Sequence, residues 1–400
     1  MTDFDATRAL FHLPPGIAYL DGNSLGPLPK AVPARLAEMV EGDWRDRLIG
    51  GWNAGWGGAG WMAAPTAVGD RIAALIGAPQ GTTVMGDTLS VKVYQALAAA
   101  LDMRPDRRVI LSDSGNFPSD LYMAQGLARS LGRGHELRVV APEEVGGAIT
   151  DEVAVLLLTE VDYRTGRLHD MAALTARAHE AGALAIWDLA HSAGAIPIDL
   201  SGAGADFAVG CTYKYLNGGP GAPAFIHVAP RHAEVARPAL QGWLGHAAPF
   251  DFDPDYRPGA GIERMRVGTP PMLQLAALDA ALDAYDMTTM ADLRARQIAL
   301  SERFVAAVEA ATDLALASPR APERRGSQVS FRHPHGYAVM QNLIAEGVIG
   351  DFRAPDILRF GIAPLYNGEA DLDRAADVLA AVLRSGSWDD PRHAARKAVT

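Results

Sequence analysis

Three apolar runs in the middle of the chain end in side chains able to do chemistry. Leu184 to Trp187 runs into Asp188-Leu189-Ala190-His191, and Val153 to Leu158 ends in Thr159. Phe207 to Thr212 leads into Tyr213-Lys214-Tyr215 and the loop Asn217-Gly218-Gly219-Pro220-Gly221. In open parallel sheets ligands bind beyond the carboxyl ends of the strands, so a carboxylate, an imidazole, a hydroxyl, a phenol and an amine are expected on one rim. A lysine is ordinarily a solvated surface charge. Lys214 differs in its setting: tyrosines flank it, a glycine loop that lets backbone approach a ligand follows it, and Asp188 ends a neighbouring run 26 positions earlier. An amine held where it can lose its proton, and a carboxylate that keeps a pyridine nitrogen protonated as an electron sink, are what a Schiff-base lysine and its ring partner need.

The pattern also supplies the elements that must position these groups. From about residue 107 to 229 β-rich runs alternate with helical stretches: Arg107 to Asp113, Leu137 to Ala141, Val153 to Val161, Leu184 to Asp188, Phe207 to Thr212 and Ala224 to Val228, with Asp170 to Glu180 as one of the helices. Val153 to Leu158 is apolar without alternation, as a strand covered on both faces must be. A mostly parallel mixed sheet flanked by helices follows, an α/β fold. After Pro270-Pro271 come two long amphipathic helices, Met272 to Tyr285 and Ala291 to Ala311. Strand Gln328 to Phe331, helix Tyr337 to Glu346, strand Ile357 to Ile362 and helix Ala370 to Leu383 then read as a smaller α+β unit. The expected division is an N-terminal segment (1–60) packing on the small domain and the active site, a large cofactor-binding domain (61–285) and a small C-terminal α+β domain (286–400). Residues 1–60, rich in Gly, Pro and Trp, show no clear period.

A chain of 400 residues that is 49% hydrophobic and 21% charged is long enough for two or three domains with a sizeable core. The net charge of −11 disfavours nucleic acid as a partner. The one cysteine, Cys211, excludes an intrachain disulfide and suits a reducing cytoplasm. The acidic start Met1-Thr2-Asp3-Phe4-Asp5 lacks the features of an export signal, and the apolar runs stop far short of the roughly 20 residues that span a bilayer, so no membrane partner is expected. Two signals are discounted. Gly55-Trp56-Gly57-Gly58-Ala59-Gly60 fits a GxGxxG pattern with no strand before it, and His333 and His335 have metal-like spacing without a third ligand, which makes them solvated loop histidines.

Asp188 to Gly194 together with Cys211 to Gly221 resembles the cofactor region of the kynureninase family, pyridoxal-phosphate enzymes of fold type I within the aminotransferase class V superfamily. Tyr19-Leu20-Asp21-Gly22-Asn23-Ser24-Leu25-Gly26, Asn116-Phe117-Pro118-Ser119-Asp120, Gly242-Trp243-Leu244-Gly245-His246 and Arg359-Phe360-Gly361 resemble further segments of that family, so the likeness spans nearly the whole length. It implies hydrolysis of L-kynurenine, with 3-hydroxykynurenine a second candidate, to an anthranilate and L-alanine in tryptophan catabolism or NAD biosynthesis. It implies Lys214 as the Schiff-base lysine and proton shuttle, Asp188 as the partner of the pyridinium nitrogen and Tyr213 as a proton donor. Phe117 stacks on the ring within the segment Phe117-Pro118-Ser119-Asp120, and Asp120, Thr159 and His191 line the cofactor. Thr88, the backbone of Leu89 and Tyr213 hold the phosphate, with Trp243 and Thr269 reaching it from the partner subunit of a homodimer. Leu89 stands where relatives often carry threonine, which leaves the backbone amide as the contact. Arg359 binds the substrate carboxylate through a bidentate fork. Trp52, Trp56 and Trp61 are either packing or an aromatic wall for the substrate, and Trp52 is taken as the substrate-facing one.

Two other readings compete. A cysteine desulfurase or aminotransferase of the same superfamily is the nearer one, but a desulfurase needs a nucleophilic thiol on a mobile loop, and Cys211 lies in an expected strand where it is buried and inert. A non-catalytic protein that keeps the fold is the other, opposed by the joint presence of Lys214, Asp188 and Arg359.

Overall fold

Seven strands form the central sheet: β1 (Thr83–Met85), β2 (Val109–Asp113), β3 (Glu136–Val140), β4 (Val153–Thr159), β5 (Leu184–Asp188), β6 (Phe207–Gly210) and β7 (Phe225–Val228), in the order β1-β7-β6-β5-β4-β2-β3. The structure is a computed structural model that describes residues 2–396; Met1 of the acidic start and residues 397–400 of the expected C-terminal domain lie outside the described residues. β7 runs antiparallel to both its neighbours and every other pairing is parallel. Six strands therefore end on one edge, including β1, whose chain continues into Thr88.

The uninterrupted apolar strands are buried on both faces. Leu156 and Leu158 of β4 pack with α1 (Ala64–Leu75), α4 (Met171–Glu180) and α5 (Met272–Leu282), while Val155 and Leu157 meet α2 (Leu89–Asp102) and α3 (Pro118–Leu131) on the other side. The C-terminal unit is a four-stranded antiparallel sheet, β8 (Ala315–Leu316), β9 (Gln328–Arg332), β10 (Asp351–Arg353) and β11 (Ile357–Gly361), in the order β10-β11-β9-β8. α6 (Met290–Ala311), α7 (Gly336–Ala345) and α8 (Glu369–Ser385) cover it, with Phe304, Phe331 and Phe360 at the centre of its core. The N-terminal segment joins the two parts. Ala18–Tyr19 pairs with Val348–Ile349, and the Gly26 amide donates to the Tyr213 carbonyl at 2.8 Å. Only glycine fits there, since a Cβ on Gly26 would come within 2.6 Å of the Lys214 carbonyl oxygen.

The structure departs from the sequence reading at several points. The strand expected to reach Thr212 stops at Gly210, because the next carbonyls leave the sheet: Thr212 accepts from Gly218 and Tyr213 from Gly26. Cys211 is buried just past the strand rather than inside it. Helix Phe4–Arg8, helix Val32–Glu38 and a π-helix over Met39–Asp46 occupy the segment that shows no period. α5 is not amphipathic: Leu275, Ala276, Leu278, Ala280, Ala281 and Leu282 are buried around much of its circumference, and the helix gives way to a 3₁₀ turn after Leu282. His333 and His335 are not simply solvated; both rings lie against Trp388, at 5.3 and 4.7 Å. No helix among the described residues is long and apolar enough to cross a membrane.

Candidate active site

Parallel register puts Thr159 directly beside Asp188 at the carboxyl edge of the sheet. On the next strand the chain turns after β6, and Lys214 Nζ lies 2.9 Å from His191 Nε2, 5.9 Å from the centre of the Phe117 ring and 5.8 Å from that of Tyr213. Phe117 caps α3, with Pro118 at the first helical position, where a missing N–H costs nothing. Its amide donates to Asn116 Oδ1 at 2.7 Å, and its ring meets Tyr163 edge-on at 5.1 Å. The ring remains 39% exposed, an aromatic face left open opposite the lysine. On the same edge Thr88 precedes α2 with no side chain capping the helix, so the first amides and the positive end of its dipole face outward, as an anion site requires.

Burial sets the charges. Asp188 is nearly inaccessible and desolvation pushes its carboxyl up to about 6; the nearby Lys214 ammonium and the Ala190 amide, which donates at 2.8 Å, limit the rise. Asp120 is also driven well up, by burial and by the adjacent Asp188 charge, and its Oδ2 has no hydrogen-bond partner. Desolvation, then Lys214, hold the imidazole of His191 well below its usual range, so it is neutral and can accept from Lys214. Tyr213 is raised by the neighbouring Cys211 and by burial, which keeps its phenol protonated. A rise in the Asp188 carboxyl from 3.8 to about 6 means that the folded, cofactor-free protein holds a proton the unfolded chain has lost, so stability falls as pH climbs through that window. The loss reaches about 3 kcal/mol at neutral pH. Asp188→Asn should therefore raise the melting temperature of the cofactor-free protein at pH 7, with the gain shrinking toward pH 4. A gain independent of pH would remove Asp188 as the source.

Arg359 lies on β11, and register sets Asp351 of β10 directly across from it. Its guanidinium is buried and grips Asp351 with both Nε and Nη2, donates from Nη1 to the Tyr163 carbonyl and reaches Ser24 Oγ at 3.1 Å. Arg353 Nη2 also pairs with Asp351, at 3.0 Å, and stays one-third exposed. Asp21 completes the cluster: burial and the adjacent Asp351 push its carboxyl up to about 8, against the pull of Arg359.

Lys214 thus has His191, Phe117, Tyr213 and Asp188 around it, with Asp120 against Asp188 and Thr159 beside Asp188 in register, and Tyr163 links the Phe117 ring to Arg359. Ser119 lies in the first turn of α3 beside them. Trp243 and Thr269 are exposed instead, and Trp243 is engaged with Trp52 at 6.0 Å and Phe250 at 5.8 Å, so within one chain neither is drawn to the lysine. Trp52 also meets Trp61, while Trp56 lies under Arg35. Sequence reasoning missed Asp351, Ser24 and Tyr163. Asp351 was within reach, since Asp351 and Arg359 are equidistant from Pro355, as partners across a tight turn must be.

These residues fit pyridoxal phosphate. Lys214 offers an amine for its aldehyde, the buried Asp188 a carboxylate for a ring N–H, Phe117 a face for the ring and the uncapped start of α2 a seat for the phosphate. The fold matches that of the apo cysteine desulfurase from Thermococcus onnurineus NA1, with a TM-score of 0.81 and 18% identity over 95% of this chain and 98% of that one. It matches equally well a C-DES variant whose structure carries glycine covalently linked to the PLP cofactor, at 0.81 and 18% over 95% and 99%. The fold is shared with these proteins, and the residues at its carboxyl edge fit the cofactor that the second one carries. In sequence, "Kynureninase" of Burkholderia pseudomallei (strain 1106a) is 49% identical over 401 residues, 98% of this chain and 95% of that relative. "Kynureninase" of Deinococcus radiodurans is 52% identical over 380 residues, 94% and 92%, and residues 293–379 match the family described as the kynureninase C-terminal domain. The chain belongs to the kynureninase family.

Proposed function

We propose that the protein hydrolyses the Cβ–Cγ bond of L-kynurenine, consuming one water and releasing anthranilate and L-alanine. The observation that carries this reading is the placement of Lys214 between the Phe117 face, the buried Asp188 and neutral His191, in a chain of this family. Pyridoxal phosphate, when bound, supplies an electron sink for negative charge at the substrate's Cα. Lys214 takes the Cα proton, His191 receiving a hydrogen bond from its Nζ. Asp188 holds the proton on the ring nitrogen, and Phe117 shields the ring from water. Arg359 binds the α-carboxylate, and Trp52 walls the pocket. Water adds at the Cγ carbonyl, and Tyr213, kept protonated by its surroundings, delivers the proton to Cβ as the bond breaks.

We also place two copies of the chain around each site. Trp243, Thr269, Phe250, Phe252, Leu48 and Ile49 lie exposed, with Phe252 and Ile49 about four-fifths open, and the apolar side chains among them are what a second copy would cover. Thr269 and Trp243 then reach the phosphate of the neighbouring subunit, and a reducing cytoplasm suits the unpaired Cys211. The test adds kynurenine to cofactor-loaded protein and follows anthranilate fluorescence in the sedimenting species. Product from a dimer is the expected result. No product overturns the activity, and a fully active monomer overturns the shared site. Run with 3-hydroxykynurenine, the same assay ranks the two substrates.

A further inference from the structure

Lys92 is a wholly buried charge outside the residues already assigned. It is the fourth residue of α2, and desolvation lowers its pKa. A cation there also opposes the positive end of the helix dipole. Its Nζ is nonetheless fixed by three acceptors, Asp87 Oδ2 at 3.1 Å, Gln95 Oε1 at 2.9 Å and the Met265 carbonyl at 3.3 Å. Asp87, its one charged partner, stands immediately before Thr88 with φ +57, after Gly86 at φ +154. Two successive residues outside the usual backbone regions set the direction in which α2 presents its first amides. Beside them Arg266 is buried, its Nη1 paired with Glu263 at 2.6 Å and its Nη2 unpartnered, and it lines a cavity of about 20 Å³, room for one water, together with Lys92, Asp87 and Thr269. Buried cations gathered at a helix start are unfavourable alone and become favourable when a dianion docks at that start.

We propose that Lys92 and Asp87 are a positioning pair for the cofactor's phosphate: Lys92 holds the Gly86-Asp87-Thr88 turn so that the free amides of α2 meet the phosphate, and its charge stabilises the occupied state. The inference rests on the reading that the phosphate sits at Thr88 and Leu89. It does not touch the ring or the reacting atoms, so its effect must depend on the phosphate.

The experiment measures equilibrium binding of pyridoxal phosphate and of pyridoxal, which lacks the phosphate, to the full-length cofactor-free protein by the change in cofactor absorbance. Lys92→Met is expected to weaken pyridoxal phosphate about tenfold and to leave pyridoxal within about twofold. Asp87→Asn, which keeps the shape and tolerates positive φ, moves the ratio in the same direction by a smaller factor. It carries the test if Lys92→Met does not fold. Equal weakening of both ligands, or no change in either, overturns the proposal. Thr88→Ala separates the two claims. If it lowers the phosphate preference while neither variant of the pair does, the pair has no role and the phosphate site stands; if it leaves the preference unchanged while the pair's variants lower it, the amides alone seat the phosphate and the pair stands.

Discussion

Lys214→Ala lowers kynurenine turnover by more than about a thousandfold and removes the visible absorption of lysine-bound cofactor. The size of the effect follows from how few amines could replace it. The chain has four lysines. Lys30 is exposed, Lys92 is locked beneath the start of α2 by three acceptors, and Lys397 lies outside the described residues. Among the described residues no other lysine lies near Phe117, Tyr213 and His191 together. The variant should still bind the cofactor without a covalent link, because Asp188, Phe117 and the uncapped helix remain. Its electrostatics shift as well: Lys214 holds the Asp188 and Asp120 carboxyls down and depresses His191, so all three rise when it is lost. Stopped turnover with retained cofactor is the expected combination. Turnover near that of the parent protein would sink the assignment of Lys214, and loss of cofactor as well would mean that the covalent link, not the shape of the site, is what retains it.

The rim of the sheet was legible because a strand covered on both faces must be apolar until it reaches the edge, so the first polar residue marks the opening. Asp188, Thr159 and the lysine loop were found that way. The three-residue strand Thr83–Met85 was not: it is too short to show a period, yet its direction is what brings Thr88 to the active edge. Lys92 was hidden for a related reason, since a lysine in an amphipathic helix reads as a solvent-facing residue, and only packing against Met265 and Gln95 reveals its burial. The contacts around Arg359 join residues hundreds of positions apart, as Ser24 joins Arg359, and no local pattern encodes them. Asp351 stands between these cases, since the turn at Ala354-Pro355 makes its partnership with Arg359 a matter of counting.

Arg359→Lys raises KM for kynurenine about a hundredfold and leaves cofactor affinity unchanged. A bidentate guanidinium–carboxylate pair in a desolvated site contributes about 3 kcal/mol, and an ammonium offers one contact where the fork offers two. Lysine is the informative replacement because it leaves a positive charge beside Asp351. Alanine would strand that buried carboxylate, which Arg359 holds below its usual range, and would cost about 3–5 kcal/mol of stability by itself. The structure makes the outcome decisive in a second way. Arg359 already spends Nε and Nη2 on Asp351, one Nη1 bond on the Tyr163 carbonyl and a further Nη2 bond on Ser24, which leaves one Nη1 N–H, so a substrate carboxylate gains a bidentate grip on the end of the fork only by displacing Ser24 or Tyr163. Arg353 shares Asp351, is one-third exposed and spends one Nη1 bond on the Phe352 carbonyl, which leaves it donors to offer. If KM is unchanged in Arg359→Lys but rises in Arg353→Gln, the carboxylate is read by Arg353, and Arg359 serves as the buried anchor that fixes Asp351 between them.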